Sequence, residues 1–472
     1  MSAQPKTVAS PDLESLGDFP DWLPPMLVKE FRQGLRAGSF VALLVALHLG
    51  VVLVEAFGLA ASVRRENTDF VGTLFWGAVY ALLLLGGPLR GLTGLHAERQ
   101  SRTLELLGAA GVSGTRMAWG KWISLMTQSC LMVFSLLPYF VLRYYTGGVD
   151  LTLDVRLLAL AVLISGVCVA AAIAASGLRR PAVRAALGAV FCLGFLIYWG
   201  FASSILQEPS AVAALNQMGR GWIFLLGGCL LGVVILLRLA GDAVGPASEN
   251  GAVLPRLLLV PGWALVLVPA LRGVEATVFI GYQWLMGLLS LVVFAWHLGE
   301  LQVFEAHLRP FERMGSLGRL VSVLFLPNWA GGLWVLPLAA GVLMGVVQSI
   351  VHQTFLLLFG AFLASCVLLW RTCFSKTRNL FGLFALYGAL GGLASAISFA
   401  LQAKLESRWL SFLPAFGYWR YASLQVQTPL DLPTLPEWRQ AAGAALIAYL
   451  CACGVPALLW LRREVWPKWR TR

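Results

Sequence analysis

GLHAERQSRTLELLGAAGVSGTRMAWGKW, residues 94–122, is the stretch whose reading decides the fold. It is the most charged interruption in a mostly apolar chain. Glu98, Arg99, Arg102, Glu105, Arg116 and Lys121 stand between two long apolar runs, 70–87 and 122–142. A helix over 95–107 places Leu104 and Leu107 on one side, and Glu98 and Arg102, four apart, form a stabilising pair on its surface. Gly108 and Gly111 end that helix, and Ser113 caps the next one. The stretch reads as a short surface helix, a turn, and re-entry into an apolar crossing.

The composition outside this stretch supports the reading. Of 472 residues, 58% are hydrophobic and 12% are charged, and the mean hydropathy is +0.77. A soluble chain carries roughly 25% charged residues. Many runs reach the ~20 apolar residues needed to cross a bilayer as helix. The alternating segments of about ten residues that mark a membrane barrel are missing. The fold class predicted is all-α, a polytopic helical membrane protein. The net charge of +12 comes from basic residues in the loops between crossings, which fits the positive-inside rule and not nucleic-acid binding.

No catalytic or metal constellation emerges. The eight cysteines lie within or beside apolar runs, without C-x-x-C spacing, and read as small buried hydrophobes. The five histidines show no metal-binding spacing. Glu300, Glu305 and Glu312 lie in a basic loop and read as salt-bridged there. A phosphate-binding loop needs four residues between its glycines and a hydroxyl after the lysine. Here five separate Gly114 from Gly120-Lys121, and Trp122 follows. The chain is therefore expected to be no enzyme, to hold no cofactor or metal, and to depend on a partner for any ATP hydrolysis.

In chain order, 1–24 reads as a disordered cytoplasmic tail rich in proline and acid. An amphipathic interfacial helix covers 25–38, with Leu27, Phe31 and Leu35 on one side and Lys29, Arg32 and Arg36 on the other. About twelve crossings follow, with a hydropathy pattern of roughly 20 residues each. Six lie in 39–240, near 39–60, 70–87, 122–142, 156–177, 183–203 and 221–240. Residues 241–256 read as a linker broken by Gly, Pro and Ser. Six more lie in 257–472, near 257–271, 277–298, 330–350, 352–371, 380–402 and 441–461. With both termini in the cytoplasm, about 25 of the Lys and Arg fall inside and about 10 outside. The second half reads equally as a divergent copy of the first unit or as an unrelated accessory half.

The charged stretch also carries a family resemblance. The run Glu98-Arg99-Gln100-Ser101-Arg102-Thr103-Leu104-Glu105-Leu106-Leu107, followed by Gly120-Lys121, resembles the cytoplasmic loop of ABC type-2 permeases, the membrane subunits of ATP-driven exporters. Pro25-Met26-Leu27-Val28-Lys29-Glu30-Phe31-Arg32 is similar to the elbow helix before that family's first crossing. The chain departs from the pattern at Gln100, Arg102 and Ala110-Gly111. The resemblance covers about the first 145 residues by these two motifs. It implies that Glu98, Arg99, Arg102, Thr103, Leu104, Glu105, Leu106 and Leu107 form a coupling helix against a separate ATP-binding subunit, with Lys29, Glu30, Phe31 and Arg32 in the elbow. It implies residence in the cell (inner) membrane, contact with membrane lipid, and two six-span units supplied by this chain alone or by a homodimer.

Two polar residues fall inside the first crossing. His48 and Glu55 are seven apart and share a face. They read as intramembrane functional groups, or as a backbone-bonded histidine and a glutamate reaching the outer surface. The resemblance points to an exporter permease. An ion-coupled secondary transporter and a non-transporting membrane assembly protein are the alternatives, and substrate is not legible.

Overall fold

A bilayer interior offers no partner for a free N–H or C=O, so long apolar runs must close their hydrogen bonds internally as helices. The computed structural model describes 25–342, leaving out 64–68, 101–102, 147–150, 197–220, 246–249, 272–279, 298–304 and scattered positions within 179–193 and beyond 312, together with a few positions in 458–467. The crossings predicted at 352–371 and 380–402 lie outside the described residues, as does nearly all of 441–461.

Among the described residues all regular structure is helical. Five helices are long and apolar enough to cross a membrane: Gly38–Ala60, Val71–Gln100, Gly114–Tyr145, Leu151–Ser176 and Trp222–Asp242. The chain is a helical membrane protein. Its elements are α1 (Pro25–Arg36), α2 (Gly38–Val63), α3 (Asp69–Ala81), a π-helical turn (Leu82–Gly86), α4 (Gly87–Gly91), α5 (Gly94–Gln100), α6 (Thr103–Ala109), α7 (Gly114–Thr146), α8 (Leu151–Ser176), α9 (Gly221–Asp242), α10 (Val253–Leu271), α11 (Ile280–Trp296), α12 (Arg309–Glu312) and α13 (Gly315–Phe325).

Helix α2 shows how lipid reverses the usual surface rule. Its hydropathy is high, yet only 22% of its apolar window is buried. Val41, Val45, Leu49, Val52, Leu53 and Phe57 are exposed, whereas Phe40, Leu47 and Val51 face the bundle. An apolar stripe of this extent would be an aggregation hazard in water and is the ordinary outer face of a membrane helix.

Two hydrophobic cores hold the bundle. One joins α2, α3, the π-turn, the second half of α7 and the first half of α8, through Phe75, Trp76, Tyr80, Phe140 and Leu157. The other joins the second half of α8 to α9, α10 and α11, through Ile173, Leu236, Trp263, Met286 and Phe294. Helices α10 and α11 thus pack directly on α9. Tyr282 donates to the Gly262 carbonyl at 2.8 Å and Trp263 to Ser290 at 3.0 Å.

The boundaries differ from the sequence reading in three regions. The second crossing, predicted to stop at 87, runs on as a helical path to Gln100. Gly87, Gly91, Leu95 and Glu98 share its buried face. Carbon at Cβ of Gly91 would lie 3.0 Å from the Ala172 methyl, so α4 lies close against α8. The linker predicted over 241–256 is shorter, because α9 runs to Asp242 and α10 starts at Val253. Arg256 is buried inside α10's first turns and donates to the carbonyls of Leu324 and Leu326 at the end of α13. Finally, α7 and α8 extend past the predicted ends to take in Arg143 and Asp154, which pair with each other.

Candidate functional site

One end of the bundle gathers the charged residues of the opening stretch. Helix α1 brings Lys29 and Glu30, α5 brings Glu98, α6 brings Thr103 and α7 brings Lys121. The Lys121 ammonium lies 2.9 Å from Glu30 Oε1 and 3.2 Å from Glu98 Oε1. Lys29 reaches the same Glu98 oxygen at 3.3 Å. The Thr103 hydroxyl lies against the Glu98 carboxylate and, at 3.0 Å, its backbone carbonyl. Glu30, Glu98 and Lys121 are each at most 9% exposed. Two ammonium groups and two carboxylates balance, which is the condition for charges to persist out of water.

A chain of neutral bonds extends the knot. Ser124 donates to the Glu30 backbone carbonyl at 3.1 Å, and Gln128 donates to Ser124 at 3.1 Å. Carbon at Cβ of Gly34 would meet the Gln128 amide and lie 3.2 Å from the Ser124 hydroxyl, so α1 lies close against α7 here. Helix α1 is thereby fixed to the third crossing as well as to the first.

Past the knot the loop turns outward. Helix α6 runs Thr103–Ala109, one residue beyond Gly108. Gly111 takes φ +76°, a left-handed value that glycine adopts without steric cost. Ser113 accepts from the Arg116 amide at 3.4 Å at the start of α7, as an N-cap should. Leu106 is 70% exposed, and Gly108 to Gly111 are exposed with it.

The structure thus separates the residues assigned to the coupling helix. Helix is found over 94–100 and 103–109, the parts of the predicted 95–107 helix that fall within the described residues. Glu98 and Arg99 turn into the protein, and Leu106 turns out. Leu104, Glu105 and Leu107 lie on α6, with side chains outside the described set, and Arg102 is outside the described residues. In the elbow, Lys29 and Glu30 enter the knot, Phe31 is half-buried and Arg32 is exposed. Arg99 donates to the carbonyls of Gly177 at 2.8 Å and Ala243 at 3.1 Å, just beyond the ends of α8 and α9.

No protein-family model, no curated protein and no solved structure matches this chain.

The two intramembrane candidates part company. His48 Nδ1 lies 2.9 Å from the Leu44 carbonyl and its ring stands edge-on to Tyr139. It is a backbone-bonded histidine. Glu55 is 7% exposed and lies 3.8 Å from Arg143 Nε. Arg143 also meets Asp154 at 3.5 Å and stacks 4.3 Å over the Phe75 ring. This second knot was missed in the sequence because Arg143 and Asp154 sit one or two residues outside the predicted crossings. Each is charged, and hydropathy alone excludes both; paired with each other they are buried, and both helices continue past them. Their opposite sign near two facing helix ends was the available signal. By a rise of 1.5 Å per residue, Lys121 and Arg143 lie roughly 33 Å apart along α7, close to the ~30 Å of a hydrocarbon core. The two ion clusters stand at either end of α7's apolar stretch.

Proposed function

We propose that the chain is the membrane-spanning permease subunit of an ATP-driven exporter of the ABC type-2 kind. It sits in the cell (inner) membrane with about twelve crossings and both termini cytoplasmic, and a separate ATP-binding subunit supplies the energy. Each permease unit has six crossings, and this chain's two halves or a homodimer complete the path.

The observation that carries the reading is the Lys121 knot. It ties the elbow, both loop helices and the third crossing at one point, while α6 holds Leu106 outward beyond it. A load applied at α6 reaches the crossings through ion pairs and not through a slack loop. ATP binding by the partner then biases a two-state equilibrium between access states. Leu106 and its neighbours are the contact, and Glu98, Lys121, Glu30 and Lys29 transmit. An ion-coupled carrier calls for charge near mid-membrane, and the two ion clusters described here lie at the slab's edges instead.

The test is co-purification of the tagged chain with its ATP-binding subunit, before and after Leu106→Asp. The exposed leucine makes no core contact, so the variant should fold as the wild type does while recovery of the ATPase falls at least tenfold. Undiminished association in that variant would remove α6 as the contact.

A further inference from the structure

The carbonyls at a helix's C-terminal end lack intrahelical donors and carry the negative end of its dipole. Helices α8 and α9 both end at the knot's side of the bundle, and neither has a basic residue in its own last turn. Their ends touch: carbon at Cβ of Gly177 would lie 2.7 Å from the Ala243 methyl. Into this paired negative end α5 sends one guanidinium. Arg99 Nη1 takes the Gly177 carbonyl and Nη2 the Ala243 carbonyl. A guanidinium presents its donors as a rigid fork, so it can serve two acceptors at once; an ammonium is a point charge. One turn earlier, the Leu95 amide donates to the Ser176 hydroxyl at 3.1 Å. The α8 end therefore has a second tie to α5, whereas Arg99 is the tie shown between α5 and the α9 end.

We infer that Arg99 is a positioning residue that joins the loop helices to the ends of α8 and α9, so that α5 and these two crossings move as one body. The Glu98 face of α5 engages α1 and α7; the Arg99 face engages the fourth and sixth crossings. In the exporter reading, on which its functional meaning rests, α6 drives four crossing-linked elements, not the third crossing alone.

Hydrogen exchange on the full chain in lipid nanodiscs tests this. The amides of Gly177, Leu178, Ala243 and Gly245 are hydrogen-bonded and report both helix ends. Segments that open together share one protection level. Wild type should show matching protection over 94–100, 174–178 and 240–245. Arg99→Ala should raise exchange at 240–245 at least tenfold. The rise at 174–178 should be smaller, because Ser176 still holds it, and 153–161 should stay within about twofold. Arg99→Lys should restore protection at one helix end only. Arg99→Gln, a milder change, decides the matter if the alanine variant does not fold. Unchanged exchange at 240–245, or an equal rise throughout α8, overturns the inference. Failure to recover an ATP-binding subunit would sink the exporter reading and leave this joint intact.

Discussion

Lys121 has two carboxylates within 3.2 Å and is 7% exposed. Removing its charge takes away the cation that Glu30 and Glu98 share, and Lys29, which stays beside Glu98, has a side chain that is 37% exposed. Lys121→Met should cost on the order of 3–5 kcal/mol, the usual penalty for orphaning a buried charge. Replacing Glu30 and Glu98 by Gln together with Lys121→Met and Lys29→Met should recover most of it, since neutral groups carry a smaller burial cost. Thermal unfolding in detergent separates the two outcomes; equal losses in both variants would mean that packing, not charge, is at stake. At the far end, Arg143→Met should likewise be strongly destabilising, while Glu55→Gln should shift stability by less than about 1 kcal/mol, because Glu55 Oε1 receives no hydrogen bond and Arg143 keeps Asp154 as a counter-charge. Every residue of the first knot is visible in the sequence as part of a charged motif. What the sequence hides is the partner. Local spacing pairs Glu98 with Arg102, which lies outside the described residues; among the described residues Glu98 also has ion partners 69 and 23 residues away, and no periodicity reports such contacts.

Helix-level patterns were the most legible and failed at one informative place. The run Gly86-Gly87-Pro88 looks like the end of a crossing, since glycine loosens a helix and proline removes a donor. The structure instead places a π-turn over Leu82–Gly86, with the Gly87 amide bonded to the Leu82 carbonyl. One residue on, the same pattern would pair Pro88 with Leu83, and Pro88 has no N–H. Ser165 on α8 supplies the missing donor at 2.7 Å. The break is thereby absorbed, and the helical path continues to the loop. Ser165→Ala should cost about 1–3 kcal/mol, the penalty of a buried unpaired carbonyl. Ser165→Thr, which keeps the hydroxyl, should cost less, and a reversed order of the two in a thermal-shift series would refute the role given to Ser165. Gly91 meets Ala172 and the Val169 carbonyl on α8. Gly91→Val should destabilise by about 1–3 kcal/mol through overpacking, read by the same assay.

At the scale of the molecule, a prediction of sidedness comes from where the two ends of α7 differ. Both ends of α7 are pinned by ion clusters, so charge within the helix does not distinguish them. The surroundings do. The Lys121 end carries the exposed Arg32, Arg36 and Arg116, and arginine and lysine accumulate on the cytoplasmic side. The Arg143 end exposes Tyr144 and Tyr145, at 51% and 80%, and tyrosine is favoured at the membrane's water boundary on either side. Leu106 and Tyr145 are therefore expected on opposite faces. Single cysteines at these positions should show it once the eight native ones are replaced, Cys192 being exposed. In right-side-out vesicles, a membrane-impermeant maleimide should label Tyr145→Cys fully and Leu106→Cys only after the membrane is opened. Inverted vesicles should exchange the two results. Both sites exposed on the same face would break the count of crossings between them. The pair reversed would put α6 outside the cell, where no ATP-binding subunit could reach it. The experiment therefore decides the orientation and sets a condition that the exporter reading must meet.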